Sequence, residues 1–178
     1  MSFISNYIFD YKNKKASKKP QKRHTTTYQE AKNIGILFYI PENDETQAQT
    51  LNNWVAYLRE QGKVVKTLTF LDINTQTNPY NFQFDYFTKK DISVLGNINS
   101  EKVETFIEQN FDYLFCIFLE CLPPFENILL RSQAKCRVGK HIETKEDCLE
   151  FMIQLPTEQN NIKYLIESID IYMEKIKN

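Results

Sequence analysis

The stretch that decides the fold is "FDYLFCIFLECLPPFENILLRSQAKCRVG", residues 111–139. Its first part, residues 112–119, is a continuous apolar run of strand length. Pro123 and Pro124 then prevent the strand from continuing and predict the first turn of a short helix. Residues 135–139 predict a second, shorter strand. Continuous rather than alternating apolarity is typical of parallel strands that are buried on both faces. The stretch therefore predicts a strand, a helix and a strand in a parallel sheet.

The same alternation extends over most of the chain, since further apolar runs are separated by helical stripes with a period of 3.6 residues. The other predicted strands are residues 34–40, 63–71, 82–88 and 148–155. The order β-α-β-(β)-α-β-α-β-β-α predicts an α/β fold, a three-layer Rossmann-like sandwich with a mainly parallel sheet. We assign residues 30–178 to this single domain and residues 1–29 to a preceding amphipathic helix and a basic tether.

The charge of the chain is distributed unevenly. The net charge is −1, but "KNKKASKKPQKR" at residues 12–23 carries seven basic side chains and no acid, so the rest of the chain sums to −8. Such an asymmetry favours an anionic partner. The residues predicted to bind a polyanion are Lys12, Lys14, Lys15, Lys18, Lys19, Lys22 and Arg23.

Three roles for this basic segment (residues 12–23) stay open. Its lysines can neutralise the phosphates of RNA or of a ribosome-like particle and release counterions, although the lack of aromatic residues argues against base recognition. With the apolar residues before it, the segment also fits an anionic membrane surface. It can equally be a solubilising linker. The residues that would enter the membrane are Phe3, Ile4, Tyr7 and Ile8.

A second candidate site lies beyond the carboxyl ends of the predicted strands, where open α/β sheets bind ligands. Loops at this edge offer Asp44, Asp72, Lys89 and Glu120 as the lining of a pocket. The alternative is structural, with Asp44 as a helix cap, Asp72 as a turn residue and Glu120 as a solvated acid.

Several classes of function are disfavoured by what the sequence lacks. Only four glycines are present, and the first strand is followed by Pro41 and acidic residues rather than by a glycine-rich phosphate loop. No G-x-S-x-G motif and no C-x-x-C pair occurs, so we expect no metal, no cofactor and no nucleophilic catalysis. The lack of a signal sequence or membrane span predicts a cytoplasmic protein with reduced thiols.

The opening stretch also resembles a family of short, uncharacterised bacterial proteins, found mainly in the Bacteroidota and known only as a domain of unknown function. The resemblance implies fold and lineage but no activity. A second phrase, "FTKKDISVLG" at residues 87–96, supports it. The residues that match the first family phrase are Phe111, Asp112, Leu114, Ile117, Ser132, Ala134, Lys135, Arg137 and Gly139.

The same stretch is similar to the N-terminal, Rossmann-like half of heptosyltransferase-like glycosyltransferases. This chain has about half of their length and lacks the second domain that binds the nucleotide sugar. We therefore predict a non-catalytic binding or adaptor protein whose basic tether contacts a polyanion. The alternatives are a reduced glycosyltransferase-like domain that binds a sugar or nucleotide, and a peripheral membrane protein.

Overall fold

The computed structural model describes residues 3–17, 26–41, 44–74 and 84–175. Within these residues the strands are β1 Asn33–Ile40, β2 Val64–Leu71, β3 Asp85–Thr88, β4 Tyr113–Ile117, β5 Cys136–Lys140 and β6 Phe151–Ile153. The helices are α1 Phe3–Ser17, α2 Glu45–Glu60, α3 Glu101–Ile107, α4 Pro123–Arg131 and α5 Ile162–Lys175. All pairings between the strands are parallel and their order is β3-β2-β1-β4-β5-β6. The predicted Rossmann-like sandwich with an N-terminal helix is confirmed.

Several elements have boundaries that differ from those predicted, and strand β4, for example, is Tyr113–Ile117 rather than residues 112–119. The last strand is shorter than residues 148–155, because residues 143–148 form a 3-10 turn and the side chain of Glu150 turns away to bind Arg137. The final helix begins at Ile162, after a separate 3-10 turn. Helix α1 continues to Ser17, so the first part of the basic segment is helical rather than an extended tether.

The two faces of the sheet are covered by different helices. Helices α2 and α5 cover one face, where Trp54 packs against Phe115 with ring centroids 5.4 Å apart. Helices α3 and α4 lie on the other face, and both are short, with 7 and 9 residues. Helix α1 adds to this layer, since it packs on α4 and places Phe9 in the same buried cluster as Phe70 and Phe125.

Phe111 and Asp112, which begin the phrase shared with the family, join β4 to β1. The Phe111 ring lies against Gly35, where an added Cβ would be only 2.6 Å from Phe111 Cδ2. The Asp112 carboxylate accepts hydrogen bonds from the backbone N–H groups of Lys32 and Asn33, both at 2.9 Å, and from Lys135 Nζ at 2.7 Å. Although burial opposes ionisation, these bonds lower the pKa of Asp112.

Arg137, near the end of the same phrase, joins β5 to two neighbouring segments. Its side chain is 6% exposed, and it donates to the Leu129 carbonyl at 2.8 Å and to both carboxylate oxygens of Glu150. The bidentate contact compensates the buried charge of the guanidinium. Gly139 on the same strand is required for close packing, because a Cβ there would lie 2.9 Å from the Cβ of Cys116.

Helix α1 is attached to the body through Phe9 and Asn13. Phe9 is fully buried, whereas Tyr11, two positions further along, is 69% exposed. Asn13 is also buried and donates to Glu126 Oε2 at 2.9 Å, while it accepts from Asn127 Nδ2 at 3.0 Å. Burial of a polar side chain is unfavourable unless the side chain is hydrogen-bonded. The hydrogen bonds of Asn13 therefore fix both the position and the register of α1.

We expect Phe9→Ala to lower the free energy of unfolding by about 3 kcal/mol, because the substitution leaves a cavity between α1 and the body. The matched control is Tyr11→Ala on the same helix, which should change it by less than about 0.5 kcal/mol because the side chain is exposed. Urea unfolding followed by circular dichroism measures both values. Equal effects of the two substitutions would show that α1 does not pack on the body in solution.

Candidate functional site

The strand order reverses between β1 and β4, and ligands bind beyond the carboxyl ends of the strands at such a position. Tyr39 is the penultimate residue of β1, Asp72 follows β2 directly, and Lys89 follows β3 directly. Glu120 lies in the loop between β4 and α4. We call Tyr39, Asp72, Lys89 and Glu120 the carboxyl-edge cluster.

Within this cluster Asp72 is the central residue. The phenol of Tyr39 donates to Asp72 Oδ2 at 2.9 Å, and Lys89 Nζ forms an ion pair with Asp72 Oδ1. The Tyr39 ring stacks on Phe70 and meets Phe125 edge-on. Tyr39 was not among the residues predicted from the sequence, because it occupies an apolar strand and only the fold shows that its hydroxyl reaches the next strand.

The cluster is suited to hydrogen bonding rather than to proton transfer by the phenol. Burial raises the pKa of Tyr39 well above its ordinary value, and the hydrogen bond to Asp72 and the charges of Asp72 and Glu120 add to the shift. Tyr39 is therefore a neutral donor at physiological pH. Lys89 pairs with Asp72, and Lys140 at the end of β5 donates to the Leu119 carbonyl beside Glu120, so two cations accompany the two acids at this edge.

Asp44, the fourth residue predicted for this pocket besides Asp72, Lys89 and Glu120, serves as a helix cap. Its Oδ1 accepts from the backbone N–H of Gln47 at 3.0 Å, and its Oδ2 accepts from the Gln47 side chain at 2.7 Å. The predicted cap of α2 is thus confirmed, but the Gln47 side chain binds the Asp44 carboxylate rather than the backbone. Helix α2 packs on the face of the sheet opposite the Tyr39 ring, and both carboxylate oxygens of Asp44 are engaged by Gln47.

Three of the seven predicted polyanion-binding residues lie on α1. Lys14 and Lys15 are exposed, and both belong to its last turn. Lys12 is half-buried and donates to the Leu95 carbonyl at 2.9 Å and to the side-chain oxygen of Asn97. Its acceptors are uncharged, so Lys12 fastens the helix without losing its charge to an acid. The remaining residues, Lys18, Lys19, Lys22 and Arg23, lie outside the described residues.

A groove of about 1010 Å³ runs beside α1, and we call it the α1 groove. Lys12 and Lys15 line one side of it, and Arg131 and Gln133 line another. Glu104 also lines it, but Arg131 pairs with this acid. Glu108 is a second acid in the lining, so the groove is basic only on the side that α1 provides.

A second groove, of about 360 Å³, lies on the opposite face between α2 and α5, and we call it the α2–α5 groove. Trp54 Nε1 donates to both oxygens of Asp170, at 3.1 and 3.2 Å. Burial raises the pKa of Asp170 to about 6, and repulsion from Glu174 and Glu167 adds to the rise, whereas the bond from Trp54 opposes it. The sequence did not indicate this pair, because its members are 116 positions apart.

Neither a membrane-spanning helix nor a group of metal ligands is found in the described part of the chain. No helix in it is long and apolar enough to cross a membrane. No group of three or more His, Cys, Asp or Glu side chains in it could hold a metal ion.

Comparison with known proteins identifies the family. The model of a family of unknown function, DUF6913, matches residues 6–176, and the chain belongs to this family. The match includes most of α1 as well as the sheet and its other helices. No curated protein and no solved structure matches the chain.

We expect Asp170→Asn to stabilise the protein at pH 7.5 and to have little effect at pH 4.5. The folded state holds the Asp170 proton up to about pH 6, above the unfolded value of 3.8, so stability falls as the pH rises between them. Asparagine keeps the acceptor for Trp54 and removes this loss. The titratable and charged groups around Asp170 are Tyr57 on α2, Lys63 before β2, Tyr28 before β1, and Lys163, Glu167 and Glu174 on α5, and the Trp54 indole also faces it.

Because Asp170 is only partly buried, solvent screening limits the gain at pH 7.5 to about 1 kcal/mol, or about 2–4 °C in Tm. Thermal unfolding at pH 7.5 and at pH 4.5 measures this change in Tm. The matched control is Glu143→Gln, an exposed acid outside the groove, which should change Tm equally at both pH values. A gain for Asp170→Asn at pH 4.5 as large as at pH 7.5 would contradict the pKa shift.

Proposed function

We propose that this member of DUF6913 is a non-catalytic binding or adaptor protein of the cytoplasm whose basic segment contacts RNA, free or in a ribosome-like particle. The observation that carries the proposal is the attachment of α1. Phe9 and Asn13 hold this helix on the body, while Lys14 and Lys15 at its end stay exposed. The basic segment therefore begins from a fixed position next to the basic side of the α1 groove.

The electrostatics of α1 support binding of a polyanion. Each lysine that contacts a phosphate releases counterions from the nucleic acid, which favours association without base recognition. Lys12 contributes to the positive potential, since its acceptors are uncharged. Holding part of the segment in a helix reduces the conformational entropy that binding would otherwise cost. The excess of acid in the rest of the chain keeps other surfaces away from the RNA.

The carboxyl edge supports the same choice by disfavouring a nucleotide. A phosphate bound at the start of α2 would need the backbone N–H groups there, and the Asp44 carboxylate already occupies that of Gln47 and would repel the phosphate. At the carboxyl edge Lys89 is already paired with Asp72. These contacts favour phosphate binding by the basic segment rather than by the sheet.

We expect Gln substitutions of Lys14, Lys15, Lys18 and Lys19 to weaken binding of a single-stranded 20-nucleotide RNA at least tenfold at 100 mM salt. The slope of log K against log salt should fall in magnitude by about 3, since each lost phosphate contact contributes about 0.7. Fluorescence anisotropy measures both quantities. Lys12 is left unchanged because it fastens α1.

A control variant that loses the same four positive charges distinguishes a specific role of the basic segment from a general effect of net charge. It carries Gln at four exposed positions elsewhere: Lys32, Arg59, Lys90 and Lys175. We expect it to lose less than threefold in affinity. An equal loss in both variants, or an unchanged salt slope, would overturn the proposal. So would a preference for anionic lipid vesicles in flotation, which would favour the membrane alternative.

A second candidate function, binding of a sugar, is favoured by the carboxyl-edge cluster. Tyr39, Asp72 and Lys89 offer a hydrogen-bond donor, an acceptor and a cation at the place where Rossmann-like sheets bind ligands. Sugar hydroxyls both donate and accept, and so they suit such a set better than a phosphate does. This candidate corresponds to the reduced glycosyltransferase-like domain.

A panel of free sugars and nucleotide sugars in a thermal-shift assay separates the two candidates. If RNA binding is the function, no ligand in the panel should raise Tm by more than about 1 °C at millimolar concentration. A larger shift that is lost in Asp72→Asn, and kept in the control Asp147→Asn, would establish the sugar site instead.

A further inference from the structure

The α2–α5 groove has no part in the proposed function, since it lies on the face of the sheet opposite α1. It is lined by the aromatic rings of Trp54 and Tyr57 and by the carboxylates of Glu167 and Asp170. Its volume of about 360 Å³ falls at the lower end of the range for small-ligand sites. Tyr57 is 38% exposed, so its ring is accessible from solvent.

Asp170 is the acid of this groove whose charge is not offset by an ion pair among the described residues. Its one lysine, Lys163, has its ammonium 3.9 Å from Glu167 and so offsets that acid. Asp170 receives hydrogen bonds from the neutral indole of Trp54, and no ion pair is formed by it among the described residues. Glu174, one helical turn further along α5, adds to the negative potential at Asp170.

A partly buried carboxylate beside an accessible aromatic ring is a combination that binds organic cations. The carboxylate attracts the charge, and the negative face of the ring stabilises it where water is partly excluded. We propose that the α2–α5 groove binds an organic cation through Asp170 and Tyr57, with an ammonium or guanidinium group as the element recognised. Such a group occurs in free amines and in the lysine and arginine side chains of peptides, and the experiment distinguishes the two sources. Trp54 is 5% exposed and donates its indole N–H to Asp170, so it positions the carboxylate and does not contact the cation.

Trp54 is the only tryptophan of the chain, so its fluorescence reports directly on this groove. The full-length protein is titrated at pH 7.5, where Asp170 is ionised, with N-acetyl-argininamide at constant ionic strength. The matched probe is N-acetyl-citrullinamide, which has nearly the same shape and no charge. We expect a saturable change with the arginine probe and at least a tenfold weaker one with the citrulline probe.

The Asp170→Asn variant tests the assignment to this groove. It keeps the acceptor for Trp54 and should be folded, so a loss of affinity of about tenfold reports on the charge alone. Tyr57→Leu should lower the affinity for the arginine probe about threefold, because the aromatic ring is removed. The control Glu143→Gln, an exposed acid elsewhere, should leave the affinity unchanged. Equal affinities for the two probes, or full affinity in Asp170→Asn, would overturn the proposal.

A comparison of a peptide with a free amine identifies the source of the cation. The peptide KNKKASKKPQKR, which repeats residues 12–23, is compared with agmatine in the same assay. Tighter binding of the peptide indicates a basic segment of a protein, including that of a second copy of this chain. Equal or tighter binding of agmatine indicates a free amine. Binding of neither overturns the proposal, whatever the outcome of the RNA experiments.

Discussion

The requirement to cover both faces of a parallel sheet governs this structure. Strands with apolar side chains on both sides must be packed between two layers of helices. On one face α2 and α5, with 16 and 14 residues, provide that cover. On the other face α3 and α4 together have only 16 residues, and the 15 residues of α1 supplement them. The N-terminal helix is therefore part of the fold, because without Phe9 the second core cluster would be open to water.

The packing of α1 on the body determines where part of the positive charge of the molecule lies. The helix that completes the apolar layer also carries the first three cations of the basic segment, so the body holds positive charge at a defined place. Acids lie at the carboxyl edge and along α5, and others lie close to α1, since Asp10 is on this helix and Glu126 accepts a hydrogen bond from Asn13. The positive charge at the end of α1 therefore has acidic neighbours on one side, which limits the directions from which a polyanion can approach.

The sequence was sufficient for features that depend on neighbouring residues. The order of strands and helices follows from apolar periodicity, and the cap formed by Asp44 and Gln47 follows from a spacing of three. Features formed between distant segments could not be predicted in this way. Tyr39 meets Asp72 from the next strand, and Trp54 meets Asp170 from the last helix, only because the sheet brings these elements together. The burial of Asn13 on α1 was also missed, since this residue is polar in the sequence and becomes an interior residue through Glu126 and Asn127.

The residues that carry the family resemblance have structural roles wherever their contacts are described. Asp112 binds the chain entering β1, Arg137 joins β5 to α4 and to Glu150, and Gly139 permits close packing on Cys116. Asp112 and Arg137 spend their polar atoms on these contacts, so in them the recognisable phrase specifies a scaffold. The basic end of α1 and the acidic α2–α5 groove lie outside that phrase, on opposite faces of the same sheet.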